Sequence, residues 1–260
     1  MTILETRGLS RRFGGLLALS AVDVAVESGE IVGLLGPNGS GKTTFFNVVS
    51  GLFRASSGRV LFGAPPADIT RKRPDQITAQ GIARTFQNLR LFEQMTVLEN
   101  VLVGARCRTR SSIPEILLGT PGARREHRRA IDEARDLLDF FRDRLAPRAA
   151  ERASALSYAN RRRLEIVRAL ATQPKLILLD EPAAGMNPAE TRELMDDIVR
   201  IRERGITVLL VEHDMHLVKG VCTRVIAFNH GVKIVEGDFA TVQRHPEVVE
   251  AYLGKRAAHA

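Results

Sequence analysis

One short segment constrains this chain more than any other part of its sequence. It spans residues 36–43 and consists of Gly36, Pro37, Asn38, Gly39, Ser40, Gly41, Lys42 and Thr43. This run fits the pattern G-x-x-x-x-G-K-[ST], which binds phosphate where a strand passes into a helix. An apolar stretch at 31–35 comes before it, and residues 43–49 can begin a helix after it. The segment therefore predicts an α/β fold built around a polyphosphate site.

The residue types in this segment suit a polyphosphate. The glycines let backbone N–H groups turn inward, and the N-terminus of the following helix adds a favourable dipole. We expect Lys42 to reach the β- and γ-phosphates and the Thr43 hydroxyl to ligate Mg²⁺. We also expect Thr44, the next residue, to contact the bound nucleotide. The alternative, a glycine-rich turn that fits the pattern by chance, is disfavoured because a strand and a helix flank the segment.

The chain is strongly basic. It has 38 lysine and arginine residues against 30 aspartate and glutamate residues, a net charge of +8. Such an excess can favour a nucleic acid or an anionic membrane surface. The basic residues are spread along the chain, however, and two tyrosines with no tryptophan offer few platforms for base stacking. We therefore expect no nucleic-acid partner.

The sequence predicts a cytosolic location. No apolar run approaches the roughly 18 residues of a membrane-spanning helix, and residues 1–7 lack the apolar core of a signal peptide. The two cysteines, Cys107 and Cys222, have neither metal-ligand spacing nor a disulfide framework. We expect both to be free thiols.

Most of the chain alternates between strand and helix patterns. This order predicts a parallel α/β sheet, with strands at 31–35, 59–63, 175–180, 206–212 and 225–229. A helix is predicted from Pro188, with Leu194, Ile198 and Ile201 on one face and Gly205 at its end. Residues 229–231 resemble a tight turn into a strand at 232–235.

The middle of the chain has a different pattern and lacks convincing strands. Residues 96–99 form a capping box before an apolar helical face. Residues 104–129 are rich in arginine, serine, glycine and proline and predict an exposed excursion. A helical pattern resumes at 130–145. We interpret this part as a helical lobe inserted into the α/β core.

A second group of polar residues follows the later strands. The apolar run 176–179 ends in Asp180 and Glu181. Asp180 suits a Mg²⁺ site, usually through water, and Glu181 suits a general base for an attacking water. His213 ends another apolar strand and could hydrogen-bond the γ-phosphate if the two strands are neighbours. Gln87 lies where the core gives way to the lobe, and could contact Mg²⁺ or the attacking water.

In this order the segments resemble the ATP-binding subunits of ABC transporters, and the resemblance covers nearly the whole chain. It implies an α/β P-loop NTPase core of the ABC type, with an N-terminal antiparallel β portion and an inserted α-helical lobe. The chain is then one domain, with the α/β core at 1–87 and 157–260 and the lobe at about 88–156.

The resemblance also assigns residues. Gln87 matches the Q-loop residue, Asp180 and Glu181 the Walker B pair, residues 184–187 the D-loop, and His213 the switch histidine. The signature motif matches 156–160, in which Ser157 and Ala159 are expected to face ATP held by another subunit. Phe13 takes the place of the aromatic residue that stacks on adenine, with an ordinary surface phenylalanine as the alternative.

Finer matches resemble the larger ATPase subunit of branched-chain amino acid importers, at 11–16, 84–88, 180–188, 212–215 and 251–254. Importers of urea, amides and other amino acids have similar segments and stay as alternatives. The signature departs from the family pattern Leu-Ser-x-Gly-Gln, because Ala159 and Asn160 hold its last two positions. We expect the extra methyl group of Ala159 to weaken that half-site slightly or to suit one partner.

The resemblance implies a subunit that binds and hydrolyses ATP with Mg²⁺. It would lie on the cytoplasmic face of the plasma (inner) membrane and be soluble when isolated. Its implied partners are membrane permease subunits, which contact the region 86–101, a second ATPase subunit of the same or another kind and, indirectly, a periplasmic or extracellular binding protein.

Two other functions stay open. One is a nucleic-acid-associated ABC ATPase, although the chain has no room for the second cassette, coiled coil or metal hook usual in that class. The other is a module that holds ATP without hydrolysing it, against which Lys42, Asp180, Glu181 and His213 argue because they are intact.

Overall fold

The computed structural model describes residues 1–141 and 144–253. Within them the chain forms the strands β1 (Thr2–Phe13), β2 (Leu16–Glu27), β3 (Ile31–Leu35), β4 (Ser57–Phe62), β5 (Ala67–Asp68), β6 (Ile82–Arg84), β7 (Leu176–Asp180), β8 (Thr207–Val211), β9 (Arg224–Asn229) and β10 (Val232–Gly237). The helices are α1 (Lys42–Val49), α2 (Pro74–Gln80), α3 (Val97–Ala105), α4 (Ile113–Leu117), α5 (Pro121–Phe140), α6 (Tyr158–Leu170), α7 (Pro188–Glu203), α8 (Met215–Val221), α9 (Phe239–Arg244) and α10 (Pro246–Leu253).

A six-stranded sheet forms the centre of the fold. Its order is β10-β9-β3-β8-β7-β6, and every pairing is parallel except that of β10 with β9. All residues of β3, β7 and β8 are buried, as expected of parallel strands covered on both faces. The predicted strands at 31–35, 175–180, 206–212 and 225–229 are confirmed within one residue at each end.

The segment 59–63 was wrongly assigned to this sheet. It lies in β4, which pairs antiparallel with β1 in a second sheet of order β2-β1-β4-β5. The long hairpin β1–β2 alternates buried and exposed residues along much of its length, and its free edge is the nearest place where β4 can satisfy its backbone groups. This sheet is the N-terminal antiparallel portion that the resemblance implies.

Helices make up the region after β6. Among the described residues between 88 and 156 no strand forms, as predicted. The capping box is confirmed, since the Thr96 hydroxyl accepts a hydrogen bond from the backbone N–H of Glu99 at 3.1 Å. No helix within 1–141 and 144–253 is long and apolar enough to cross a bilayer.

The stretch 104–129 is exposed but is not an irregular loop. It contains α4 and the first half of α5, so the predicted helix at 130–145 begins nine residues too late and its end is misplaced beyond Phe140. The start was recognisable from the sequence: Thr120 caps α5 by accepting from the Ala123 N–H at 3.3 Å, and Pro121 holds its first position. The density of arginines concealed these signals.

A buried arginine joins α6 to α7. Arg163 is 2% exposed, and its guanidinium donates to Glu193 at 2.8 Å, to Asp197 at 3.4 Å and to the amide oxygen of Asn160 at 3.1 Å. Burial raises the pKa of Asp197 to about 6, so its pairing with Arg163 offsets only part of the cost of removing the carboxylate from water.

Arg163→Ala is therefore expected to lower the free energy of unfolding by about 3 kcal/mol at pH 8, because it leaves the buried Asp197 carboxylate with Arg200, at 3.6 Å, as its remaining cation among the described residues. The pKa of Asp197 in the folded protein lies above its ordinary value of 3.8, so protonation favours the folded state as the pH falls through that range. The loss should thus be smaller at pH 5 than at pH 8 when urea unfolding is followed at both.

The matched control is Arg192→Ala, which removes an exposed arginine from the second turn of α7. It should change the free energy of unfolding by no more than about 0.5 kcal/mol. Equal losses for the two variants, or a loss that does not depend on pH, would contradict the role given to Arg163.

Candidate active site

The predicted site residues meet because their strands are neighbours. Strands β3, β8, β7 and β6 lie side by side and parallel, so the loops that follow them leave one edge of the sheet. Asp180 at the end of β7 lies opposite Val211 at the end of β8. The expected adjacency of the Asp180 and His213 strands is therefore confirmed, and the loop 36–43 follows the next strand of the sheet.

The geometry of the loop 36–43 explains its glycines. Gly36 has φ +148°, and a side chain there would place Cβ 2.2 Å from the carbonyl oxygen of Phe228. Gly41 has φ +107°, with its added Cβ 2.9 Å from the Ala18 carbonyl oxygen. Gly39, at φ +81°, would meet nothing within 4 Å. The loop is thus tightly held at its base and open in front, as phosphate binding requires.

Lys42 lies inside this loop. It is 5% exposed, and its ammonium donates to the carbonyl oxygens of Gly36 at 2.6 Å and Pro37 at 3.0 Å. Burial lowers the pKa of Lys42, while the charges of Glu181 and Asp180 act in the opposite direction. Its positive charge is therefore held at the loop by carbonyl groups that a phosphate could replace as partners. Thr43, in the first turn of α1, is exposed.

The Glu181 carboxylate lies between the side chains of His213 and Gln87, two other predicted site residues. One carboxylate oxygen is 3.1 Å from Nε2 of His213, and the other accepts a hydrogen bond from the Gln87 amide at 2.9 Å. Its backbone has φ +49°, in the left-handed region, which costs on the order of 1 kcal/mol for such a residue. The Glu181 N–H donates to Val211 at 2.9 Å, so both ends of the residue are fixed.

Asp180 has a partner that the sequence analysis missed. The guanidinium of Arg84 donates to Asp180 at 2.9 Å, to Asn47 at 2.7 Å and to Ser50 at 2.9 Å. Arg84 and Asp180 are 6% and 4% exposed in their side chains, and burial lowers the pKa of Arg84. A charged residue ending the short strand β6 was the available signal. Arg84 fixes the carboxylate and ties it to α1.

Glu212 is a second missed residue. It is 4% exposed, and it accepts from the Ala183 N–H at 2.7 Å and the His213 N–H at 3.0 Å. Burial raises its pKa. This carboxyl group therefore sets the distance between the loop carrying Glu181 and the loop carrying His213.

A cleft of about 390 Å³ opens in front of the loop. Its lining includes Phe13, residues 38–44, Glu181 and His213, together with His230 and Gly231, which the sequence analysis did not assign to the site. Phe13 is 37% exposed and lies edge to face with Phe53 at 5.2 Å between ring centroids. The Arg11 guanidinium lies 4.4 Å from the Phe13 centroid, so the ring is held at the cleft mouth.

The signature residues lie elsewhere. Ser157 caps α6 by accepting from the Asn160 N–H at 3.4 Å, and it is exposed, whereas Ala159 is 3% exposed. Neither is among the described residues that line the cleft. From the same helix, Arg162 donates to the carbonyl oxygens of Phe86, at 2.7 Å, and of Gln87. Helix α6 thus binds the backbone of the segment that carries Gln87.

The C-terminal helix contacts the phosphate loop. The backbone N–H of Gly36 donates to the hydroxyl of Tyr252, on α10, at 2.8 Å. Burial raises the pKa of Tyr252, which keeps the phenol protonated at neutral pH. In the sequence, residues 251–254 stand out only through the family resemblance. A bond between residues 216 positions apart leaves no local pattern that could have predicted it.

Known proteins are similar to this chain over nearly its whole length. A family model described as ABC transporter matches residues 19–184, and one described as branched-chain amino acid ATP-binding cassette transporter matches 232–258. The chain belongs to the ABC transporter family of ATP-binding proteins. The high-affinity branched-chain amino acid transport ATP-binding protein LivG of Escherichia coli K12 is 42% identical, covering 97% of this chain and 98% of that protein.

A further relative and two solved structures support the same family assignment. The transport ATP-binding protein BraF of Pseudomonas aeruginosa is 40% identical, over 97% of this chain and 98% of its own. A nucleotide-free ATP-binding cassette from an ABC transporter superposes with a TM-score of 0.85 at 34% identity, covering 98% of this chain and 100% of that one. The ADP conformation of an ABC cassette gives 0.85 at 35% identity with the same coverage.

The site of this ABC ATPase fits a nucleotide. The open space in front of Gly39 and the buried ammonium of Lys42 suit phosphates. The part of the cleft beside Phe13 suits a base. Within residues 1–141 and 144–253, no three His, Cys, Asp or Glu side chains are grouped to hold a metal by themselves. A Mg²⁺ ion here would need phosphate oxygens and water, which are its usual ligands.

Tyr252→Phe is expected to weaken ATP binding by about two- to tenfold, because it removes one hydrogen bond to the loop and keeps the ring. Titration of the purified chain with a non-hydrolysable ATP analogue measures the affinity. Val249→Ala, on the same helix and 38% exposed, is the control for a general effect on α10 and should bind as the unchanged chain does. Unchanged affinity in Tyr252→Phe would remove the tyrosine from the site.

Proposed function

We propose that this chain is the ATP-hydrolysing subunit of an importer and that the cargo is a branched-chain amino acid. The cargo is carried over from relatives named as branched-chain amino acid transport ATP-binding proteins, which match 97% of the chain. The hydrolytic role depends on one observation above all: a carboxylate, Glu181, lines the same cleft as the phosphate loop and is held between Gln87 and His213.

The proposed chemistry assigns separate tasks to these groups. The N–H groups of 36–43 and Lys42 bind the phosphates, Phe13 stacks on the base, and Thr44 belongs to the same binding surface. Glu181 takes the proton of the attacking water, and His213 and Gln87 hold the γ-phosphate and that water in place. The side chain of Glu181 is 20% exposed, which leaves it open to water from the cleft.

The metal is assigned by the chemistry of its ligands. Thr43, Gln87 and Asp180 would hold Mg²⁺, which neutralises charge on the phosphate oxygens when bound. Asp180 already has a close cation in Arg84 at 2.9 Å, so we propose that it acts on the metal through water. Arg84 would then hold the Asp180 carboxylate in one orientation.

The proposed setting is a membrane complex. Permease subunits would contact the region 86–101 from the cytoplasmic face of the inner membrane, and a periplasmic or extracellular binding protein would deliver the cargo. A second ATPase subunit would present its own signature to the cleft, while Ser157 and Ala159 face the partner's ATP.

An importer of urea or amides would need the same ATPase, so the cargo requires a separate test. Uptake of labelled leucine, compared with uptake of labelled urea in reconstituted vesicles, distinguishes the cargoes.

Glu181→Gln is expected to lower ATP turnover of the assembled complex by about 10² to 10⁴, the range for loss of a general base. Binding of an ATP analogue should be nearly unchanged, because the amide keeps the size of the carboxylate and the phosphate loop is not altered. The measurement pairs steady-state ATPase activity with titration of the same preparation.

The control is Glu203→Gln, which makes the same chemical change at an exposed position at the end of α7 and should leave turnover unchanged. Wild-type turnover in Glu181→Gln would rule out Glu181 as the base. Binding of the analogue without any turnover in the unchanged complex would instead identify a module that only holds ATP.

A further inference from the structure

A group of large apolar side chains is exposed at the tip of the helical lobe. On and beside α4, Leu117 is 81% exposed, Leu118 80%, Ile113 67% and Ile116 44%. Scattered exposed leucines are ordinary on protein surfaces, but four large apolar residues within six positions are not. Such a cluster is typical of an interaction site. It consists of Ile113, Ile116, Leu117 and Leu118 and is called the apolar tip below.

The same stretch concentrates the positive charge of the chain. Residues 104–129 contain seven arginines against two glutamates, a net charge of +5, whereas the whole chain of 260 residues carries +8. Six of these arginines are exposed: Arg106, Arg110, Arg124, Arg125, Arg128 and Arg129. Only Arg129 of the six has an acidic side chain within 4 Å among the described residues, Glu133 at 2.7 Å.

The fold holds the apolar tip in its exposed position. The carboxylate of Glu126 on α5 accepts from the backbone N–H groups of Arg110 at 2.7 Å and Ser111 at 2.9 Å. Arg108 anchors the stretch to the core by donating to the Thr172 carbonyl at 2.6 Å and the Ala79 carbonyl at 3.0 Å. Exposure of the apolar tip is thus maintained by bonds on both of its sides.

A cavity of about 480 Å³ runs beside the apolar tip, between α4 and α5. Its apolar wall includes Ile113, Ile116 and Leu117. The cavity is also lined by Arg106 and Arg124. Apolar side chains and guanidinium groups therefore face the same space, an arrangement that suits a ligand with an apolar part and an anionic part.

We propose that the apolar tip and its arginines dock onto an anionic phospholipid surface. The leucines and isoleucines would enter the boundary between headgroups and acyl chains, and the arginines would bind headgroup phosphates. Apolar burial and basic attraction together supply the two signals that stable attachment to a bilayer needs. Charge complementarity selects this occupant, because an apolar protein groove alone would not require five excess positive charges.

A nucleic acid fits the same surface less well. Residues 104–129 contain no phenylalanine, tyrosine or tryptophan on which bases could stack. Exposed leucines would also be left in water by a partner that offers only phosphates. No residue of 104–129 lines the cleft in front of the phosphate loop, so lipid binding at the apolar tip and ATP hydrolysis in the cleft can be lost independently, whatever the cargo.

The test is sedimentation of the full chain with phospholipid vesicles at physiological salt. One set contains phosphatidylcholine alone, and the other contains equal parts of phosphatidylcholine and phosphatidylglycerol. We expect binding to the second set to be at least tenfold stronger and to weaken as salt increases. Similar binding to both sets, or no binding to either, would overturn the proposal.

Variants locate the surface. Arg106→Glu with Arg124→Glu, and separately Leu117→Ser with Leu118→Ser, should each reduce binding to the anionic vesicles at least tenfold. Arg59→Glu with Arg71→Glu is the matched control, because it changes the net charge equally at exposed positions outside 104–129 and should reduce binding far less. Circular dichroism of each variant verifies that it is folded.

Three results would overturn this assignment. An equal loss in the control would mean that net charge alone drives vesicle binding. If the leucine variant binds vesicles as the unchanged chain does but no longer co-purifies with its permease, the apolar tip is a protein contact. If the arginine variant loses binding to a DNA or RNA oligomer that competes with the vesicles, the partner is a nucleic acid.

Discussion

The site depends on the order of four parallel strands. Because β3, β8, β7 and β6 are neighbours, the phosphate loop, His213, Glu181 and Gln87 leave the sheet at one edge. The pairing of Asp180 with Val211 sets their level along that edge, and a slip of one residue would turn each side chain to the opposite face. Since β3, β7 and β8 are buried on both faces, such a slip is strongly opposed.

Hydrogen bonds link Glu181, the proposed catalytic carboxylate, to helix α6. Glu181 accepts from Gln87 at 2.9 Å, and the backbone of Gln87 is held in turn by Arg162 on α6. Glu212 joins the Glu181 loop to the His213 loop on the other side. A movement of α6 must therefore either break the bond between Arg162 and Gln87 or displace Gln87, and displacement of Gln87 alters a partner of Glu181.

The sequence predicted most of the site because its residues follow local rules. The phosphate loop has a fixed spacing, and Asp180, Glu181 and His213 end apolar strands, so their meeting needs only the strand order. Arg84, Glu212 and Tyr252 were missed because their roles depend on partners 96, 29 and 216 residues away. The segment 59–63 was placed in the wrong sheet because a short apolar strand does not specify the direction of its neighbour.

The unusual signature is accounted for largely inside this chain. Ala159 is 3% exposed and Asn160 is 9% exposed, and the Asn160 amide oxygen accepts from Arg163 at 3.1 Å. The Ala159 methyl group is therefore packed largely by its own subunit, so that in the proposed complex Ala159 would meet the partner's phosphate through its backbone N–H. Arg163 also pairs with Glu193 and Asp197 on α7, so Asn160 belongs to the ionic contact that joins two helices. Ser157 and Tyr158, both exposed, are the signature residues whose side chains a second subunit can reach without rearrangement of α6.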